Sequence, residues 1–317
     1  GRKTMNATLV TESNRPVYYV PEWMKNLLEG CVNTGLARRL TNAEPPPSWS
    51  RLKEGEVWHF PVQKGNVHWD EWSKEKEVII WDAEFEKIRD FAYPRLGNDG
   101  AELLRLAEEY LRERDDREAL GTHKCLVQLI IARGVELSMV SRPNETVHLN
   151  GNFDLIGRFP VGSKVEVHGN VGTIEGSIGS FLKVVGNVKH LGCGPFWAES
   201  PMKGDESCKL EIHGDLEGYK SSIENKQLEI EIFGSVTTKG QFLRGSNFRK
   251  LTIHGDVSAN TPFAGLFTGT IVVLGRITDM DWATRDRWLN TSAGRYGHGD
   301  IFLKDRQLVA NGKLIAG

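Results

Sequence analysis

From Val147 to Ile277 the chain repeats one short phrase, in which alternate positions are apolar and a glycine closes the run. It reads Val-His-Leu-Asn-Gly at 147–151, Val-Glu-Val-His-Gly at 165–169 and Leu-Lys-Val-Val-Gly at 182–186. It returns as Leu-Glu-Ile-His-Gly at 210–214, Ile-Glu-Ile-Phe-Gly at 230–234, Leu-Thr-Ile-His-Gly at 251–255 and Ile-Val-Val-Leu-Gly at 271–275. The closing glycines lie 18, 17, 28, 20, 21 and 20 residues apart. A strand of period two recurring at a step near ~20 predicts a solenoid whose unit is one coil of β-structure. The expected fold is mainly β: a right-handed parallel β-helix preceded by a smaller, mainly helical N-terminal domain.

Side chains alternate across a strand, so Val165 and Val167 point one way and Glu166 and His168 the other. The same holds for Leu210 and Ile212, Ile230 and Ile232, Leu251 and Ile253, and Ile271 and Val273, which form the expected interior. Asn152, Asn170, Asn187, Asp215 and Asp256 follow the glycines, as suits a corner that needs positive φ or a side chain bonding its own turn. The outward residue before each glycine is Asn150, His168, Val185, His213, Phe233, His254 or Leu274. A purely solvated face would seldom present Val, Phe and Leu among histidines. This column is therefore expected to be partly covered, by another part of the chain or another subunit.

Outside the repeat the pattern changes. Pro21-Glu22-Trp23 opens a predicted helix, with Trp23, Leu27, Leu28 and Cys31 at helical spacing, that runs towards Leu40 with a break near Gly35. Residues 42–48, with three prolines, read as an extended connector, and 56–62 and 77–81 as strands. Further helices are expected from Asp82 through Ala92 and from Asn98-Asp99-Gly100 through Arg114, followed by an apolar segment over 125–132. After the repeat, Asp281–Leu289 has helical spacing, and 301–303 with 307–309 read as a hairpin. Three domains follow: 1–140, α-rich and placed to cover the open first coil; 141–277, the β-helix; and 278–317, a C-terminal cap.

Composition supports the division, because only nine of the 34 glycines precede residue 140 while six of the nine tryptophans lie within the first 81 residues. A net charge of −2 gives no electrostatic case for nucleic acid or an anionic membrane. No run is long enough to span a membrane, and the first residues lack the apolar core of a secretory signal. Cys31, Cys125, Cys193 and Cys208 are scattered without a Cys-x-x-Cys pair. A soluble protein of a reducing, cytoplasmic compartment is the expectation. Cys193 and Cys208 flank the long step and form the one pair considered for a bridge.

The catalytic motifs of phosphate-binding loops, zinc peptidases and serine hydrolases are missing. His213 and His254 stand two steps apart around Phe233, about 10 Å of rise, too far for one zinc ion, so neither a metal nor a cofactor is expected. Asp215 and Asp256 are assigned to turn chemistry rather than to glycoside cleavage. Trp69 and Trp72 beside Asp70 and Glu71 are assigned to core anchoring rather than to a sugar platform. The 28-residue step exceeds a coil, so it should leave the rod as a loop, with Phe196, Trp197, Glu199, Asp205 and Glu206 as candidate loop residues.

Thr268-Gly-Thr-Ile-Val-Val-Leu-Gly-Arg276, with the Gly-Asn or Gly-Asp corners of earlier coils, resembles a known glycine-rich β-helix. It is the one shared by the C-terminal domain of glutamate synthase large subunits and one of the subunits of formylmethanofuran dehydrogenase. The likeness covers roughly residues 147–277. It implies a structural element with no catalytic residues. The expected function is that of a non-enzymatic structural or assembly protein, which forms a homo-oligomer or joins a larger complex. His168, Val185, His213, Phe233, His254 and Leu274 are its candidate contact face. The alternative is a carbohydrate-active β-helix that binds or cleaves polysaccharide.

Overall fold

The computed structural model describes residues 22–40, 78–112, 121–192, 202–203, 206–218, 222–238, 243, 246–259, 268–278, 300–303, 306–310 and 313–314. Helices come first. Helix α1 (Glu22–Asn33) ends where Gly35 takes φ of 73°, a left-handed conformation that closes a helix at little cost to glycine. Residues 37–40 therefore do not extend the helix as the spacing predicted. They form β1 (Ala37–Leu40), antiparallel to β2 (Val78–Trp81) with Ala37 opposite Trp81. The predicted connector at 42–48 and strand at 56–62 lie outside the described residues.

Helix α2 (Phe85–Ala92) buries Phe85, Ile88 and Ala92. Helix α3 (Gly100–Arg112) buries Leu103, Leu104 and Ala107, and Asp99 Oδ1 accepts the Glu102 N–H at 3.1 Å as its cap. Helix α4 (Gly121–Ser141) is longer than the apolar segment predicted for it. Every residue from Cys125 to Ala132 is buried, apart from none, so this stretch of α4 is enclosed on all sides rather than along one stripe. No helix among the described residues is long and apolar enough to cross a membrane.

The remainder is a parallel β-solenoid of about five turns over residues 147–273. Its first wall stacks β3 (Val147–Asn150), β5 (Lys164–His168), β7 (Phe181–Val184), β10 (Lys209–Ile212), β11 (Glu229–Ile232), β13 (Asn247–Ile253) and β15 (Thr268–Val273). Val147, Val165, Leu182, Leu210, Ile230, Leu251 and Ile271 pair rung to rung and are buried, as are the residues two places on from each. The second wall contains β4 (Phe153–Phe159), β6 (Val171–Ile178) and β8 (Val188–Leu191), then Leu216 as a single bridge. It continues through β12 (Val236–Thr238), β14 (Val257–Ala259) and β16 (Ile277–Thr278). A third line of parallel pairing joins Gly176 to Met202 in β9 (Met202–Lys203), Met202 to Ile223, and Glu224 to Asn247.

The corner between the first two walls takes the expected positive φ only at Gly151, the first of the corner glycines, at 131°. Gly169, Gly186, Gly214, Gly234 and Gly255 are not in the left-handed region. They are glycine because each sits on the backbone of the glycine one rung earlier. A Cβ on Gly214 would stand 2.6 Å from the Gly186 carbonyl carbon, and one on Gly255 the same distance from that of Gly234. The polar residue that follows does not bond its own turn. Asn152 Oδ1 accepts the Asn170 N–H at 2.8 Å, Asn170 that of Asn187 at 2.8 Å, Asn187 that of Asp215 at 2.8 Å, and Asp215 that of Ser235 at 2.7 Å. Ser235 Oγ and Asp256 Oδ1 continue the series to Asp256 and Arg276. Each side chain satisfies a backbone donor of the next coil where the regular ladder is interrupted.

The first coil has no earlier rung to pair with, and the helices supply substitutes. Glu108 Oε1 of α3 accepts the Asn150 N–H at 2.9 Å, and Gln128 Nε2 of α4 donates to the Ile156 carbonyl at 3.4 Å. A buried ion pair ties α2 to the same coil. Arg158 has φ of 56° beside a bulge after Gly157, lies over the Phe85 ring at 4.3 Å and reaches Glu175 Oε1 at 2.7 Å. Glu175 is fully buried. Burial pushes its carboxyl above the usual range, opposed by the Arg158 charge and hydrogen bond.

At the far end, β17 (Asp300–Leu303) adds a parallel rung to β15. The chain then turns back as β18 (Arg306–Ala310) and β19 (Lys313–Leu314), both antiparallel. The predicted hairpin is present. The predicted helix over 281–289 lies outside the described residues.

Two substitutions test this architecture. Gly214→Ala should cost about 1–3 kcal/mol, as overpacking does, and lower the urea midpoint without changing the slope. Arg158→Ala should cost about 3–5 kcal/mol by leaving a buried carboxylate without its counter-charge, whereas the double variant Arg158→Met with Glu175→Leu should recover most of that loss. Equal destabilisation by single and double variants would contradict the role given to the pair.

Candidate functional site

The residue preceding each corner glycine points outward from the first wall. In-register backbone bonds place these residues in a single column: Val185 N–H donates to the Val167 carbonyl, His213 to Val184, Phe233 to Ile212, His254 to Ile232 and Leu274 to Ile253. Asn150 and His168 head the column as register partners. The five exposed large hydrophobic residues among those described are Val140, Val161, Val185, Phe233 and Leu274. Three of the five belong to this column, at 41%, 40% and 39% exposure for Val185, Phe233 and Leu274. Within the column Phe233 is flanked by His213 and His254.

Stacking explains the intermediate values. The Phe233 ring centroid is 4.5 Å from that of His213 and 4.8 Å from that of His254, close to the spacing of stacked strands. His213 and His254 therefore sandwich an aromatic ring instead of sharing a ligand. Each imidazole also reaches a carboxylate, on its own rung or the one before: His213 Nε2 lies 3.3 Å from Glu211 Oε2, and His254 Nε2 3.0 Å from Glu231 Oε1.

Those carboxylates belong to a second outward column beside the first: His148, Glu166, Lys183, Glu211, Glu231, Thr252 and Val272. Lys209 bridges two rungs, with Nζ 2.7 Å from Glu211 Oε1 and 2.8 Å from Glu231 Oε2. Hydrogen bonds from Lys209 and then His254 hold the Glu231 carboxyl below the usual glutamate range. Burial pushes Glu211 up, but hydrogen bonds from Lys209 and His213 outweigh it and leave that carboxyl low as well. One rung pair earlier, Glu166 Oε1 meets Lys183 Nζ at 3.2 Å and His168 Nε2 at 3.2 Å. The face thus carries charged groups along the first rungs of one column and rings and aliphatic groups along the other.

At its head the two columns bring in a histidine absent from the predicted contact face. His148 Nδ1 lies 3.2 Å from His168 Nε2, with the rings stacked at 5.5 Å between centroids. Alignment on the residue before each glycine misses His148, which stands two places earlier in its phrase. The signal is nonetheless present in the repeat itself, since position 148 falls opposite Glu166 once the coils are aligned.

Glu206 is exposed ahead of β10, while Phe196, Trp197, Glu199, Asp205 and Cys193 lie outside the described residues. So do Trp69, Asp70, Glu71 and Trp72. Asp215 and Asp256 serve the corner ladder, which accounts for them without catalysis. The chain matches no protein-family model, no curated protein and no solved structure.

The Lys209 cluster has a definite pH behaviour. Because the Glu231 and Glu211 carboxyls are depressed, their contribution is present above the ordinary glutamate pKa, about 4.3, and is lost as pH falls through their lower folded values. Lys209→Met should move both titrations upward in a carboxyl-carbon NMR titration. The stability cost should stay under about 1 kcal/mol because Lys209 is partly solvated.

Proposed function

We propose that this chain is a non-enzymatic structural or assembly protein that uses the first wall of its solenoid to dock a second copy of itself. The observation that carries the reading is the concentration of exposed Val185, Phe233 and Leu274 in one outward column. A second copy is the partner that best fits that column. It offers the same rung spacing, so rings and aliphatic groups meet at the same interval along both rods. The flanking column carries Glu166, Lys183, Glu211 and Glu231 in that order, so two such faces in opposed directions, centred between Lys183 and Glu211, bring each Lys183 to the other copy's Glu211.

Several features support the reading without adding to the face. The right-handed sense expected of parallel crossovers gives each copy the same twist, which lets two long faces follow one another. Helices over the first coil and a hairpin after the last direct association to the side of the rod rather than to its ends. The glycine-rich β-helix that the sequence resembles is itself a structural element. The balanced net charge of −2 leaves little long-range repulsion between copies.

Light scattering coupled to size exclusion tests the proposal. The wild-type chain should run as a dimer or larger assembly at micromolar concentration. Phe233→Asp combined with Leu274→Asp should give a monomer with an unchanged circular dichroism spectrum. A monomeric wild-type chain would overturn the reading, and more firmly so if it bound on a glycan array, as the carbohydrate-active alternative requires.

A further inference from the structure

The trio at the head of the outward face is built differently from the histidine–glutamate pairs further along. Glu166 and His168 are two places apart on β5, so both point outward. His148 is the register partner of Glu166 on the neighbouring strand β3. The backbone ladder alone therefore puts two imidazoles and one carboxylate on adjacent positions of a rigid sheet. The pairs Glu211 with His213 and Glu231 with His254 share the spacing or the proximity, but the ring adjoining each histidine is Phe233. Among the described residues this is the one group of three or more His, Cys, Asp or Glu side chains arranged to hold a metal ion.

Distances decide what the trio can do. His148 Nδ1 to His168 Nε2 is 3.2 Å, His168 Nε2 to Glu166 Oε1 is 3.2 Å, and all three donor atoms lie within 4.8 Å of one another. In a tetrahedral site with bonds of about 2.0–2.1 Å, neighbouring donors stand about 3.3–3.4 Å apart. Two of the three edges already have nearly that length. Two imidazoles and a carboxylate are a donor set for zinc and its neighbours in the first transition row, not for magnesium or calcium, which take oxygen. Both histidines are exposed, which leaves a fourth position open to water or an external ligand.

We infer that His148, Glu166 and His168 form a surface site for a divalent transition ion of the zinc type. Lys183 Nζ, 3.2 Å from Glu166 Oε1, is the group the ion must displace from that oxygen. Lys183→Met should therefore tighten binding. The site does not rest on the assembly reading, because all its donors come from one chain and none belongs to the Phe233 or Leu274 rungs.

Zinc titration by calorimetry tests it, run on both the wild-type chain and the Phe233→Asp, Leu274→Asp variant so that association between copies cannot mimic binding. One zinc per chain is expected in each. His148→Gln and His168→Gln should each weaken binding at least tenfold, and Glu166→Gln by a smaller factor. His213→Gln and His254→Gln should leave it unchanged. Cobalt in place of zinc should give the intense visible absorption of a four-coordinate ion, lost in His148→Gln. Absence of saturable binding, or binding that survives loss of both His148 and His168, would overturn the assignment. Loss in the Phe233→Asp, Leu274→Asp variant alone would instead show a site made between copies and would equally refute it.

Discussion

Glycine resting on glycine at the corner of every coil is the contact on which the rest of the solenoid depends. Gly186 N–H donates to the Gly169 carbonyl, Gly214 to Gly186, Gly234 to Gly214 and Gly255 to Gly234, at 3.0–3.1 Å throughout. Without side chains there, consecutive coils approach until their backbones bond directly. The Asn, Asp or Ser that follows then secures the next coil's N–H from the side. Once this corner is fixed, both adjoining walls are fixed with it, and residues at equal offsets from the glycine must stack. The buried columns and the outward ones are two results of one constraint. A lone coil would have neither, which is the physical sense in which such repeats fold as an array.

Much of this is legible in the sequence because a period of two and a period near twenty leave separate marks. The alternation at Leu210, Ile212, Ile230 and Ile232 shows which side is interior, and the recurring glycine shows where the chain turns. The cause of the glycine is not legible. Positive φ and close approach select the same residue, and only the contact between rungs tells them apart. Residues 37–40 mislead for a similar reason, since Ala-Arg-Arg-Leu suits a helix and only its pairing with Val78–Trp81 makes it a strand. Arg158 and Glu175 carry no sequence signal at all. They are seventeen residues apart and meet because β4 and β6 are adjacent rungs.

The candidate site shows the same division. Its column of Val, Phe, Leu and His is visible as soon as the phrases are aligned on glycine, because outwardness follows from alternation. What alignment on one position conceals is the neighbouring column, which supplies Glu211, Glu231 and His148. Function on a solenoid wall is two-dimensional, and a reading along a single column sees one dimension of it. The helices matter to the site as well. Glu108 bonds the backbone of Asn150, so the first rung of the face is held by the N-terminal helices and not by a preceding coil.

The long step between Gly186 and Gly214 leaves the ladder undisturbed: Leu182 still faces Leu210, and Gly214 still bonds Gly186. The solenoid thus registers hydrogen bonds and not chain length. The first wall therefore tolerates a longer excursion between two rungs, and Met202, inside that excursion, is buried and pairs with Gly176, so the added length is partly taken back into the rod as a rung of its third line.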